Sequence, residues 1–257
     1  MGIGDQIIAT GLAKGAADRG KRIAFGDCQR IRWDHNSPLI FRNNPNIASP
    51  GNERAPDIEW IPFYKGSRLY NKAGDGRWIF NYKFRCTPGE LYFGADEEVR
   101  VCDDNLNLIL IEPNVPKKPC APNKQWPVDQ WKRLVAELTW EGFTVRQFEY
   151  GGTNRVAPGV ETSSIRQAAA LMKHARLAIL HEGGLHHVAA AVGCPAVVLF
   201  GGFVPPEVLG YTSHANLTGG AKACGTFTRC QHCIDAMHNI TVENVLHACE
   251  GGLSRDA

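Results

Sequence analysis

Glu182-Gly183-Gly184 ends an apolar run that starts at Leu177, and an amphipathic segment through Val188 follows at once. That pattern is a strand, a glycine turn and a helix N-terminus. Such a turn leaves backbone N–H groups of Gly183, Gly184 and Leu185 unpaired and pointing one way, which suits a phosphate. The same pattern also suits a plain βα corner, where two glycines only permit a tight turn. A second constellation is Cys224, Cys230, Cys233 and Cys249, with His232 and His238 nearby. A C-x2-C pair with two further cysteines can form a tetrahedral zinc or iron site of structural kind. Reduced thiols, or one disulfide, are the other reading of the same residues.

Asp5 follows two glycines at the start of a helical pattern. It suits both an N-cap and a general base. Glu161, ahead of a helix at Ser164, reads either as a solvated loop glutamate or as a weaker candidate contact for a nucleotide ribose. No Asp-x-Asp pair is placed to hold a divalent ion, which fits chemistry that needs no metal.

The elements that position these residues are clearest in the second half. Leu106 to Ile111, Phe143 to Phe148, Leu177 to Leu180 and Ala196 to Phe200 form the expected strands. Val128 to Trp140, Ser164 to His174 and Val188 to Val192 form the expected helices, with Ser163 or Ser164 as a cap, and Thr241 begins a last helix. This alternation implies a parallel sheet covered on both faces, with ligands at the carboxyl ends of its strands. In the first half, Ile7, Ile8, Leu12 and Ala16 share helical spacing and Gly20 ends the helix; Arg22 to Phe25 reads as a strand. Residues 34 to 56, rich in Asn, Pro, Gly and Ser, read as a long connection. Ile58 to Phe63, Trp78 to Tyr82 and Glu90 to Phe93 are short candidate strands.

The order Gly4-Asp5, Lys124-Gln125-Trp126-Pro127 and Glu182-Gly183-Gly184-Leu185-His186-His187-Val188-Ala189-Ala190 resembles glycosyltransferase family 9, the group of the lipopolysaccharide heptosyltransferases. The resemblance implies two Rossmann-like halves of the GT-B type, an α/β fold with a shortened N-terminal half. Residues 1–104 would form the acceptor side and 105–257 the nucleotide-sugar side. It implies that a sugar, heptose by analogy, moves from a nucleotide diphosphate to a hydroxyl of a saccharide or lipid-linked saccharide, by an inverting displacement without a metal. Asp5 would be the base. Lys124, Glu182, Gly183, Gly184, Leu185 and His187 would hold the donor diphosphate, with His186 beside them as a surface residue of the first turn. This chain departs from the family block by having Glu182 and Gly183 where an Asp and a hydroxyl residue are usual. A nucleotide-sugar-binding protein without transferase activity is the second expectation, motivated by that altered pair and by the early position of Gly4-Asp5. No G-x-G-x-x-G follows an early strand, which disfavours an NAD-linked oxidoreductase.

A net charge of +2 over 257 residues, without long basic blocks, gives no case for a nucleic-acid surface. No run approaches the ~18 apolar residues of a spanning helix, and no signal-peptide pattern opens the chain. The expected location is cytoplasmic, peripheral to the inner membrane if the acceptor is a lipid. Nine cysteines, five of them (Cys28, Cys86, Cys102, Cys120 and Cys194) scattered, do not read as a disulfide framework.

Overall fold

The computed structural model describes residues 2–61, 67–94, 97, 107–149 and 154–253. The second half is built on six parallel strands: β5 (Leu108–Glu112), β6 (Thr144–Phe148), β7 (Gly159–Val160), β8 (Leu177–His181), β9 (Ala196–Leu199) and β10 (His214–Leu217). Their order across the sheet is β10-β9-β8-β5-β6-β7. Numbered along the half, this is the doubly wound 3-2-1-4-5-6 arrangement, with its direction of winding reversing between β5 and β8.

Both faces of the sheet are covered, so its central strands are apolar until their carboxyl ends, where Glu112 closes β5 and His181 closes β8. Ile109, Ile111, Leu177, Ile179, Val197 and Leu199 face one layer, with Leu134 and Leu138 of α3 (Val128–Trp140) and Val245 of α8 (Val242–Leu253). Leu108, Leu110, Ala178, Leu180, Ala196 and Val198 face the other, with α4 (Ile165–His174) and α5 (Gly184–Val192). The alternation follows from the two-residue period of a strand. Ser164 caps α4, its side chain accepting the Gln167 N–H at 3.2 Å. Thr241 caps α8 in the same way, accepting from Asn244 at 3.2 Å.

The first half is small. α1 (Ile3–Ala17) leads through Gly20, at φ +66°, into β1 (Arg22–Phe25), which pairs in parallel with β2 (Ile58–Ile61). The long connection between them contains α2 (Ser37–Phe41). An antiparallel hairpin, β3 (Asn71–Ala73) and β4 (Trp78–Phe80), follows. Glu90 to Phe93 is not a strand: Gly89 lies against α1 and the Glu90 N–H donates to Thr10 Oγ1 at 2.9 Å, so a helix rather than a strand is its neighbour. Ile7, Ile8 and Ala13 of α1 belong to the same apolar cluster as Leu180, Val188 and Ala189, so the two halves share one core. The expected boundary at Asp103 to Asn105 lies outside the described residues, as does Cys102.

Sequence periodicity does not mark β7, β10, α6 (Pro206–Leu209) or α7 (Gln231–Asn239). The strands are too short, or too mixed in character, to carry a period. Among the described residues no helix is long and apolar enough to cross a membrane.

Candidate functional site

β5 and β8 are neighbours at the point where the sheet reverses its winding, so the loops beyond their carboxyl ends diverge and leave a crevice. Glu112 ends β5 and Glu182 follows β8, and both are buried. Glu112 Oε1 accepts the Asn114 N–H at 2.7 Å, while Oε2 has no partner among the described residues. Burial pushes this carboxyl up to about 7.

Lys124 follows a 3-10 turn at Ala121–Asn123. Its ammonium is paired with the Glu182 carboxylate and lies 4.9 Å from the centre of the Phe203 ring. Burial alone would raise the Glu182 carboxyl, but Lys124, and then His186, hold it below the usual carboxylate range. The rest of the Lys-x-Trp-Pro segment is bolted to the sheet. The Trp126 N–H donates to His181 Nε2 at 3.1 Å and the Trp126 indole donates to Ile240 O at 2.8 Å. Burial pushes His181 down to about 3, which keeps it a neutral acceptor.

At the glycine turn, His186 Nδ1 accepts the Gly183 N–H at 2.9 Å and Nε2 faces Leu209 O at 3.0 Å. Those partners assign the neutral ring with its proton on Nε2. His186 is therefore not the expected surface residue but fully buried. Its ring also takes the Gly183 N–H, so Gly184 and Leu185 are the donors of this turn that remain. His187 is buried too, with Nδ1 2.7 Å from the Tyr211 hydroxyl. Burial above all holds it well below the usual histidine range.

Gly4 brings α1 to this turn. A Cβ at Gly4 would lie 2.9 Å from His187 Cδ2 and 3.7 Å from Gly184 Cα, so the first turns of α1 and α5 meet at glycines. Asp5, one residue on, is not the N-cap: Gly2 is, and Asp5 sits in the first turn, where Oδ2 accepts the Gly2 N–H at 3.2 Å. The two residues between cap and carboxylate give the side chain the reach to fold back on its own helix end. Oδ1 accepts from the Tyr70 hydroxyl and lies 3.0 Å from Arg68 Nε. Burial, with Asp5 beside it, pushes the Tyr70 phenol up, so it stays a donor. A carboxylate has about four lone-pair sites, so Oδ2 retains capacity for another donor. Nothing in the sequence pattern marks Tyr70, Arg68, Tyr211 or Glu112, because each meets the motif residues only through the fold.

The thiols of Cys224, Cys230 and Cys233 lie within 4.8 Å of one another, and three such donors suit zinc or iron. Cys224 Sγ is 3.0 Å from Cys233 Sγ and 3.9 Å from Cys230 Sγ. Cys249 does not join them: it is buried on α8, in the layer on the other face of the sheet. His232 is turned to Lys222 O, at 2.8 Å. Glu182, His186 and His187 also converge within 4.8 Å. There, however, Lys124 holds the carboxylate and both His186 nitrogens are engaged, so hydrogen bonds and an ion pair account for the cluster. Glu161 is exposed, ahead of Ser164.

The sequence pattern of glycosyltransferase family 9 (heptosyltransferase) matches residues 94–236. That is more than half of the chain, and the protein belongs to this family. No curated protein sequence matches it. Among solved structures, the bacterial iron-containing dodecameric glycosyltransferase TibC from enterotoxigenic E. coli H10407 is 17% identical, with a TM-score of 0.69 over 98% of this chain and 76% of that one. The dodecameric iron-containing heptosyltransferase TibC in complex with ADP-D-beta-D-heptose is 16% identical, with a TM-score of 0.55 over 81% and 64%. E. coli heptosyltransferase WaaC with ADP is 16% identical, with a TM-score of 0.45 over 60% of this chain and 46% of its own. That match takes in less than half of the WaaC chain with ADP. The TibC similarities show an α/β fold shared with the glycosyltransferases of this group, here with a short first half.

Proposed function

We propose that this chain is a glycosyltransferase that moves a sugar, with heptose the first candidate, from a nucleotide diphosphate to a hydroxyl of a saccharide or lipid-linked saccharide. The observation that carries this reading is the meeting of α1 and α5 at Gly4 and Gly184, which sets Asp5 beside the turn that Lys124 also reaches. Family membership supports it, as does the ADP-D-beta-D-heptose bound by the similar TibC.

In this reading the acceptor oxygen attacks the anomeric carbon while Asp5 takes its proton. The bond from that carbon to the diphosphate oxygen breaks, and the configuration inverts. The N–H groups of Gly184 and Leu185, the α5 N-terminus, His187 and Lys124 stabilise the charge on the departing diphosphate. Lys124 exchanges Glu182 for phosphate, and the vacated carboxylate is then free to take up a proton. Glu161 stands as a ribose contact if the exposed loop closes over the nucleotide. Residues 1–104 serve the acceptor and 105–257 the donor. A zinc or iron ion on Cys224, Cys230 and Cys233 would pin their loop and would take no part in transfer. The location is cytoplasmic, at the inner membrane if the acceptor is a lipid.

The three partners of Asp5 favour a second reading, a nucleotide-sugar-binding protein without turnover. A thermal-shift panel of ADP, UDP, GDP and their sugars, with turnover measured in wild type and Asp5→Ala, separates the two. A selective shift kept in Asp5→Ala, with turnover lost, supports transfer with Asp5 as base. A shift without turnover in wild type supports binding alone, and no shift with any nucleotide removes both.

A further inference from the structure

Asn123, immediately before Lys124, is fully buried, and its side chain is spent on the cysteine loop. Asn123 Nδ2 donates to Thr228 O at 2.8 Å and to Thr226 O at 3.3 Å, while Oδ1 accepts the Cys230 N–H at 2.8 Å. All three of these bonds go to the strip that carries Cys224 and Cys230. The same strip reaches the other surface that touches the Lys124 ammonium. The Gly225 N–H donates to Phe203 O at 2.9 Å and the Cys224 N–H to Gly202 O at 2.9 Å, and the Phe203 ring underlies the lysine. The loop is further clipped to the β3–β4 hairpin, where Trp78 N–H meets Gly225 O and Phe227 N–H meets Gly76 O, each at 2.9 Å.

We propose that Asn123 is a positioning residue that makes the placement of Lys124 depend on the state of the Cys224, Cys230 and Cys233 loop. The backbone of Asn123 is the backbone that presents Lys124, so a displacement of residues 226 to 230 moves the lysine through a single peptide unit. A buried amide with three fixed partners has no alternative arrangement that keeps them all, which makes the link stiff. An ordered loop therefore holds the ammonium over Phe203 and within reach of Glu182, and a disordered loop releases it. The consequence for donor affinity rests on the reading of Lys124 as a diphosphate contact; the link itself does not.

Hydrogen–deuterium exchange on the full chain, as purified and after chelator treatment, tests the link. In the wild-type protein, chelation should raise exchange in residues 224–230 and also in residues 124–126. In Asn123→Ala, residues 124–126 should exchange fast with or without chelator. Titration with ADP should show a dissociation constant raised about fivefold or more in chelated wild type, and the same raised value in Asn123→Ala in both states. Should the purified protein carry no metal, Cys224→Ser takes the place of chelation with the same expectations. Asn123→Asp keeps the acceptor for Cys230 and loses both donors; it should hold metal at the wild-type level while residues 124–126 loosen. The proposal is overturned if residues 124–126 respond to chelation alike in wild type and Asn123→Ala, or not at all in wild type. It is also overturned if both variants lose metal and global protection together, which is a folding role only. Failure of ADP to bind wild type would remove the donor reading while the exchange pattern still decides the role of Asn123.

Discussion

The His187 ring rests on the backbone of Gly4, with room for no side chain between them: a Cβ at Gly4 would lie 2.9 Å from Cδ2. The ring cannot swing away, because it is buried and held by the Tyr211 hydroxyl at 2.7 Å. Gly4→Ala should therefore cost about 1–3 kcal/mol, as overpacking does. Gly15, in the same helix, has open space around its Cα, and Gly15→Ala should add about 0.5–1 kcal/mol. Urea denaturation of the two variants checks the contrast, and equal effects would show that the α1–α5 contact is not tight.

Lys124 and Glu182 should behave as a unit. Removing the lysine alone strands a buried carboxylate, and Lys124→Met should lose about 3–5 kcal/mol at pH 7. Lys124→Met combined with Glu182→Gln leaves neither charge and should recover most of that loss. Unfolding free energies of the two single variants and the double variant give the coupling; simple additivity would refute it.

Glu112 should make stability fall as pH rises. Its folded-state value, about 7, lies above the 4.5 of an unperturbed glutamate, so between these values the folded state binds more protons than the unfolded one. That raises stability toward pH 4.5 and lowers it toward pH 7, by about 3 kcal/mol across the window. His181, kept neutral by burial, acts in the opposite sense below pH 6.5. The measurement is thus the difference between wild type and Glu112→Gln at pH 5 and pH 8. The variant should gain on wild type at the higher pH, and a constant difference would count against a Glu112 carboxyl raised by burial.

Arg166 joins the halves from α4. Its guanidinium meets both Glu97 oxygens, at 2.5 and 2.7 Å, and donates to Leu39 O at 2.8 Å and to Tyr92 O. Arg166→Met should cost about 3–5 kcal/mol, since it leaves Glu97 with the Gly94 N–H, at 2.8 Å, and the more distant Arg42, at 3.7 Å. The Arg166 pairing holds Glu97 down to about 2, so this contribution is complete above about pH 4.5 and fades as pH falls toward 2. Acid titration followed by circular dichroism should show that limb in wild type and lose it in the variant.

Much of this was legible where a period or a motif exists. β5, β8 and β9 show as apolar runs because both faces of a parallel sheet are buried, and Val128–Trp140 shows as a helix because only one side is. Ser164 and Thr241 announce their helices by chemistry local to a single turn. The partners of the motif residues are different in kind. Tyr70 stands 65 positions from Asp5, and Asn123 stands 107 from Cys230, so only the folded chain introduces them. His186 was illegible for another reason. A histidine in a first turn has no pattern that says whether it faces water or caps the turn from inside, and here it takes the Gly183 N–H. Cys249 shows the converse: proximity in sequence to Cys233 suggested a shared site, and the fold places Cys233 in the apolar cluster of α4 and α5 but Cys249 in that of α3 and α8.

The shared core of α1 with α5 bears on how such a chain can be recombined. Ile7, Ile8, Leu180 and Val188 are packed into one cluster, and Gly4 is shaped to the His187 ring. A chimaera that takes its first hundred residues from one parent and the remainder from another would inherit a helix cut for a different partner. Exchange of first halves between relatives should give a stable chain only when α1 travels together with the Gly184–Val192 helix, so the natural crossover unit here is a pair of contacting helices and not a stretch of sequence.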